Sequence, residues 1–178
     1  MKRQIFKNTR RPFPWFQFIP IIFKKNKSFS IVKDFKFTLS TIYFFDDFDQ
    51  FDVNKLFGFS IGMHHNNSFR FGWRPSKDLI KMEIVAYEYH NKVRVPTIPL
   101  YEIEIDKTYR FKMNYLSDKQ QVLYTIIDKD KLNECLDKTL VTHTSNVDAK
   151  KSWGYKLGLY FGGNKKAPHD MIFFQTNF

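Results

Sequence analysis

An all-β, antiparallel two-sheet β-sandwich is the fold this sequence predicts. Three observations predict it: abundant aromatic residues with scarce alanine, repeated period-two alternation, and turn residues between the alternating runs. Phe is the commonest apolar residue at 21 copies, whereas Ala occurs only at Ala86, Ala149 and Ala167. Aromatic side chains suit a pleated, half-buried surface and Ala suits a helix, so the balance leans toward strand. A chain of 178 residues has the usual length of one domain and buries most of its surface on folding.

Residues 1–27 predict an arm. They carry Lys2, Arg3, Lys7, Arg10, Arg11, Lys24, Lys25 and Lys27 without one acid, and these cations account for most of the formal charge of +11. Phe13, Trp15, Phe16 and Phe18 alternate with prolines there, which disfavours helix and favours extended chain. Those aromatics either strap across their own sheet or dock on another subunit, an assembly or an acidic polymer. Residues 28–178 then form one sandwich domain that is only mildly basic, so the charge belongs to the arm more than to a recognition face.

From Phe35 the period is two, with Phe35, Phe37, Leu39, Thr41 and Tyr43 on one face. Phe69, Phe71 and Trp73 alternate with Arg70, Gly72 and Arg74, and Met82, Ile84 and Ala86 alternate with Lys81, Glu83, Val85 and Tyr87. Tyr109, Phe111, Met113 and Tyr115 repeat the pattern, as do Tyr155, Leu157, Leu159 and Phe161. Each run has one apolar and one mixed face, as antiparallel sheets sharing a core require. Shorter strands are predicted over residues 55–61, 121–127 and 171–175, with turns at Asn66-Asn67, Pro75-Ser76, Ser117-Asp118 and Gly162-Gly163-Asn164. Residues 128–136 predict a short helix or turn behind an Asp cap. Strands this numerous and this short predict a jelly roll.

Cys135 stands alone, which excludes an intrachain disulfide and a thiolate zinc site, and it reads as a small packed side chain. No apolar stretch approaches membrane-spanning length, so no span is expected. The basic residues continue to Arg11 and the apolar run behind them holds prolines, so no export signal of ordinary form is read at the start.

The stretch Tyr160-Phe161-Gly162-Gly163-Asn164-Lys165-Lys166-Ala167-Pro168-His169-Asp170-Met171 resembles the penultimate-strand, loop and last-strand segment of bacterial proteins in the concanavalin A-like lectin and glucanase superfamily. That group includes carbohydrate-binding modules and some polysaccharide lyases. The resemblance implies a jelly roll whose concave sheet face carries a glycan site. Gly162, Gly163 and Pro168 are equally what a plain turn between strands needs.

The polar run around His64, His65, Arg70 and Arg74 places hydrogen-bonding groups and cations about one turn and strand, a mixture suited to sugar hydroxyls and carboxylates. Trp73 falls in the apolar set and reads as core. Glu83, Tyr87 and Tyr89 share the mixed face of the next strand, Tyr160 can join them, and Asn164 and His169 sit at the rim. Asp46, Asp47, Asp49 and Asp52 crowd one loop; they read as a solvated acidic turn or as oxygen ligands for Ca²⁺, without the spacing of an EF-hand.

Polysaccharide lyases of the resembling group use Arg or Gln to neutralise a uronate, His as base and Tyr as acid. This chain has those residue types but not the Arg-x-Glu-x-Arg or Gln-x-His patterns, and it lacks the glucanase Glu-x-Asp-x-x-Glu set. Glu102, Glu104 and Asp106 alternate beside Pro99 in an edge strand. A non-catalytic module binding a polysaccharide or surface glycan therefore ranks first. The arm would join it to a homo-oligomer or a larger assembly, such as a phage or viral particle. A purely structural particle protein and a polysaccharide lyase on acidic glycans are the alternatives. No cofactor is read apart from Ca²⁺, and nucleic acid would meet only the arm.

Overall fold

The computed structural model describes residues 1–13, 19–24, 27–129, 139–147 and 152–177. Two seven-stranded antiparallel sheets pack face to face as a jelly roll. The first runs in the order β12 (Thr139–Asn146), β11 (Gln121–Asp128), β10 (Thr108–Leu116), β4 (Phe29–Phe37), β14 (Met171–Asn177), β1 (Lys2–Ile5) and β2 (Pro12–Phe13). The second runs β3 (Pro20–Ile22), β13 (Trp153–Leu157), β5 (Asn54–Ser60), β6 (Ser68–Pro75), β7 (Lys81–His90) and β8 (Val93–Arg94), with β9 (Ile98–Glu104) also paired to β7.

Alternation sets the faces as predicted in β6, β7 and β10, whereas the predicted Tyr155–Phe161 face splits: Leu159 and Phe161 join the core, but Leu157 pairs with Gly58 on the opposite face and Tyr155 lies on its side. Phe69, Phe71 and Trp73 of β6, Met82, Ile84 and Ala86 of β7, and Tyr109, Phe111 and Met113 of β10 all lie at 2% exposure or less. Aromatic contacts bridge the sheets: Phe35 stacks on Phe57 with ring centres 5.9 Å apart, and Phe71 meets Phe111 edge-on at 5.3 Å. Such pairs contribute about 0.5–1.5 kcal/mol each beyond their buried area, so they favour one relative placement of the sheets.

Two predicted strands end early. The run that alternates to Tyr43 leaves the sheet at Phe37, because the Thr38 carbonyl accepts from the Thr41 amide at 2.9 Å and the Thr41 hydroxyl at 2.7 Å. Those bonds close a 3₁₀ turn over Leu39–Thr41 and leave Leu39 72% exposed, so its place in the apolar face is not realised. The run from Tyr155 to Phe161 pairs with β5 only through Leu157, after which Tyr160 returns as an isolated bridge to Lys55. Of the predicted helix, Asp128 closes β11 and residues 130–136, Cys135 among them, lie outside the described residues.

The basic segment joins both sheets. Lys2–Ile5 pair with the last strand, β14, and Pro20–Ile22 pair with β13. Trp15, Phe16 and Phe18 lie outside the described residues.

One polar cluster interrupts the apolar interface. Glu88 continues the core-facing row of β7 and is 4% exposed. Its carboxylate accepts from the Tyr124 hydroxyl of β11 at 2.8 Å and the Ser145 hydroxyl of β12 at 2.6 Å, and His90 Nε2 lies 2.8 Å from its other oxygen. The group therefore ties the second sheet to the edge of the first.

Candidate functional site: a cationic, tyrosine-lined cavity

Turning Phe69, Phe71 and Trp73 inward forces Arg70 to the outer face of β6. The strand registers set Leu157, Gly58, Arg70 and Tyr87 side by side across β13, β5, β6 and β7. The neighbouring row holds Ser60, Ser68 and Tyr89. Gly58 keeps the floor low beside Arg70, since a Cβ there would sit 2.0 Å from the Phe69 carbonyl oxygen and 2.7 Å from Arg70 Cα. Above this floor lies a cavity of about 520 Å³ lined by Arg11, Lys55, His64, His65, Arg70, Tyr87, Tyr89, Tyr155 and Tyr160, with Pro12, Leu157, Gly158 and Leu159 completing the wall. Among the described residues no carboxylate lines it.

Arg70 is the central feature. It is 9% exposed, its Nε has no hydrogen-bond partner, and no carboxylate pairs with it among the described residues. Burial lowers its pKa, and the surrounding hydroxyls of Tyr87, Tyr155, Tyr89 and Tyr160 oppose that only in part. A guanidinium stays charged even so, and a buried cation without a counter-ion is costly to hold.

The groups around it are tuned by the same burial. Desolvation first, then Arg70 and His65, push the His64 pKa down to about 4, so its imidazole is neutral at neutral pH. His64 Nδ1 lies 2.5 Å from the Tyr155 hydroxyl oxygen, and its ring sits 4.1 Å from that of His65. Lys55 Nζ donates to the Val53 carbonyl at 2.7 Å and stands 4.5 Å over the Tyr87 ring. Burial and then Arg70 bring its pKa down to about 8, against the pull of Asp52. The Tyr87 pKa is raised, by burial first and then by the neighbouring Tyr89.

Six of the nine residues singled out in the sequence meet in this cavity: His64, His65, Arg70, Tyr87, Tyr89 and Tyr160. Three do not. Glu83 faces a separate hollow and forms an ion pair with Arg74. Asn164 donates its amide to Asp49 Oδ1 at 3.2 Å, and His169 Nε2 lies 2.9 Å from the Ser40 carbonyl oxygen. Lys55, Tyr155 and Arg11 are functional candidates that the sequence reading did not pick out. An irregularity in the β5–β6 register between Lys55 and Phe57 lies beside Lys55, and a bulge of this kind re-aims a side chain without a sequence mark.

The aspartate loop has other partners. Asp47 accepts the Asp49 amide at 3.1 Å, capping a 3₁₀ turn over Phe48–Phe51, and pairs with Lys165 at 2.5 Å. Among the described residues no group of three or more His, Cys, Asp or Glu is placed to hold a metal ion.

A pH dependence follows from Lys55. A bound anion favours its charged form, so affinity for an anionic ligand is expected to be full below pH 8 and to fall as pH rises through that value. The loss is expected to approach tenfold by pH 9.5, equivalent to about 1.4 kcal/mol. Titration calorimetry across this range, with Lys55→Met as the reference that should show no such step, checks it.

No protein-family model matches this chain, and no curated protein sequence matches it. Solved structures similar to it include an alginate lyase from Klebsiella pneumoniae at 11% identity and a TM-score of 0.49, covering 85% of this chain and 59% of the lyase. The chain thus spans about three fifths of that enzyme's length. A seed lectin from Lotus tetragonolobus is 10% identical at a TM-score of 0.48, covering 92% of this chain and 80% of the lectin. The winged bean acidic lectin is 13% identical at 0.49, covering 92% and 78%. The two antiparallel seven-stranded sheets are the two-sheet sandwich that the sequence predicts.

Proposed function

We propose that this chain is a non-catalytic jelly-roll module that binds an anionic glycan in the cavity over β5, β6 and β7. The observation that carries the proposal is Arg70, a buried guanidinium on the cavity floor with no carboxylate partner among the described residues. A carboxylate or sulfate of the ligand supplies the missing counter-charge, in the bidentate geometry a guanidinium favours. Tyr87, Tyr89, Tyr155 and Tyr160 offer apolar ring faces to sugar C–H groups and hydroxyls to their polar edges. Binding measured against alginate, polygalacturonate, hyaluronan and heparan sulfate, with neutral dextran as reference, tests the reading. Saturable binding to a polyanion and none to dextran is expected; equal binding to dextran, or none at all, would sink it.

One contact favours a second reading, β-elimination on a uronate polymer. His64 and Tyr155 touch beside Arg70, and His64 is uncharged at neutral pH. In that reaction Arg70 would neutralise the uronate carboxylate and a base would take the C5 proton. The glycosidic C4–O bond would break as the C4–C5 double bond forms, and an acid would protonate the departing oxygen. Ultraviolet absorbance of the unsaturated product, growing with time on any polymer that binds, distinguishes turnover from binding. Membership of a particle assembly gains no support from the strand pairing of residues 2–5, 12–13 and 20–22, so the cavity carries the proposal.

A further inference from the structure

The basic N-terminal segment reaches this cavity. Hydrogen bonds hold residues 4–10 to the 161–170 loop at several points. Gln4 Nε2 and the Lys7 amide donate to the two carboxylate oxygens of Asp170 at 2.9 and 2.7 Å. The Asn8 amide donates to the Ala167 carbonyl at 2.9 Å, the Ala167 amide to the Thr9 carbonyl at 3.1 Å, and the Phe161 amide to the Arg10 carbonyl at 2.8 Å. Arg10 closes the zipper with its guanidinium: Nη1 donates to the Gly163 carbonyl at 2.7 Å, with the Phe161 and Gly162 carbonyls at 3.5 and 3.4 Å, and Nη2 donates to the Asn164 carbonyl at 2.6 Å.

The loop is shaped to present those oxygens. Gly163 adopts φ +74°, the left-handed region that favours glycine, and a Cβ on it would meet Asp52 Oδ2 at 2.5 Å. The Gly162 amide is fixed by Asn54 Oδ1 at 2.8 Å. Arg11 and Pro12 follow directly in the cavity wall, with Arg11 exposed to solvent and Pro12 buried.

We infer that this strap is part of the binding site: Arg11 is a ligand contact that adds a cation at the cavity rim, and Arg10 is the positioning residue that holds it there by gripping the 161–164 carbonyls. The inference rests on the proposed anionic-glycan reading and deepens it, because a cation on the floor at Arg70 and another at the rim suit a polymer carrying more than one negative charge. The 160–171 stretch, which the sequence reading placed within or beside the site, then has two jobs. Tyr160 faces the cavity, and the glycine loop behind it anchors the strap.

The test is binding of the full chain to alginate oligomers at several salt concentrations. Each protein cation that meets a polyanion adds about one to the slope of log affinity against log salt. Arg11→Gln is expected to weaken binding roughly tenfold and to lower that slope by about one, and Arg11→Lys should keep the slope. Arg10→Gln should lose the same slope, and Arg10→Lys, which cannot span the carbonyls, should not restore it. A purely structural role for the strap would move the melting temperature and leave the slope alone. Wild-type binding that Arg70→Met abolishes but Arg11→Gln leaves intact would overturn this inference alone. Absence of binding by the wild-type chain to any of the polyanions would overturn the proposed reading and this inference with it.

Discussion

Replacing Arg70 with Met is expected to abolish anionic-glycan binding, by a hundredfold or more, while leaving the protein at least as stable as before. Both halves have one cause. The guanidinium is 9% exposed and its Nε lacks any partner, so the folded protein already bears the cost of holding a desolvated charge. Removing one side of a desolvated charged contact in a complex costs about 2–5 kcal/mol of binding. In the free protein the same change relieves an uncompensated buried cation and keeps a side chain of similar length, so the melting temperature should hold or rise. Arg70→Lys retains charge but loses the planar fork, and an intermediate loss of about tenfold is expected. Calorimetric titration with parallel thermal melts reads both quantities. Full affinity in Arg70→Met would remove the basis of the proposed site, and a large drop in melting temperature would show that Arg70 holds the fold instead.

The second large effect is expected at Glu88, where Glu88→Ala should destabilise the fold by about 3–4 kcal/mol, with each orphaned buried hydroxyl contributing about 1–3 kcal/mol. Tyr124 is fully buried and Ser145 is 8% exposed, so neither can turn to water once the carboxylate is gone. Glu88→Gln keeps one acceptor oxygen and should cost about half as much. The cluster also predicts acid sensitivity. Burial opposes the Glu88 charge, yet hydrogen bonds from His90, Ser145 and Tyr124 outweigh it and hold the pKa below its ordinary 4.5. A carboxyl whose pKa is lower folded than unfolded contributes stability that is complete above the unfolded value and is lost as pH falls through the folded one. Unfolding free energy measured by urea melts should therefore decline as pH falls below about 4.5, and less steeply in Glu88→Gln. Equal pH profiles for the two proteins would assign the acid sensitivity elsewhere.

Both sites show which features of this chain were legible before its structure. Arg70, Tyr87 and Tyr89 were readable as one set because a strand's side chains alternate strictly, so deciding that Phe69, Phe71 and Ala86 are core also decides where their neighbours point. His64 and His65 were readable as adjoining that set because they lie in the turn just before β6. Glu83 sits on the same face by the same rule, but Arg74 lies directly across the register from it and takes it as an ion-pair partner. Lys55 lies on β5, the hairpin neighbour of β6, whereas Tyr155 reaches the cavity because β13 pairs with β5, about a hundred residues away in sequence and adjacent only through sheet topology.

What the sequence determined by itself was the all-β class, the inward faces of β6, β7 and β10, and thereby which polar residues of those strands were free to build a site. Local periodicity carries that information, because each residue's side of a strand depends only on its neighbours. Tertiary structure decided the rest: that Glu88, in register with the apolar row, finds Tyr124 and Ser145 across the interface, that Arg70 finds no carboxylate among the described residues, and that the basic segment lies along the 161–170 loop and carries Arg11 to the cavity. Those outcomes depend on which strands become neighbours, and pairing between residues far apart in the chain is chosen by the packing of the whole sandwich.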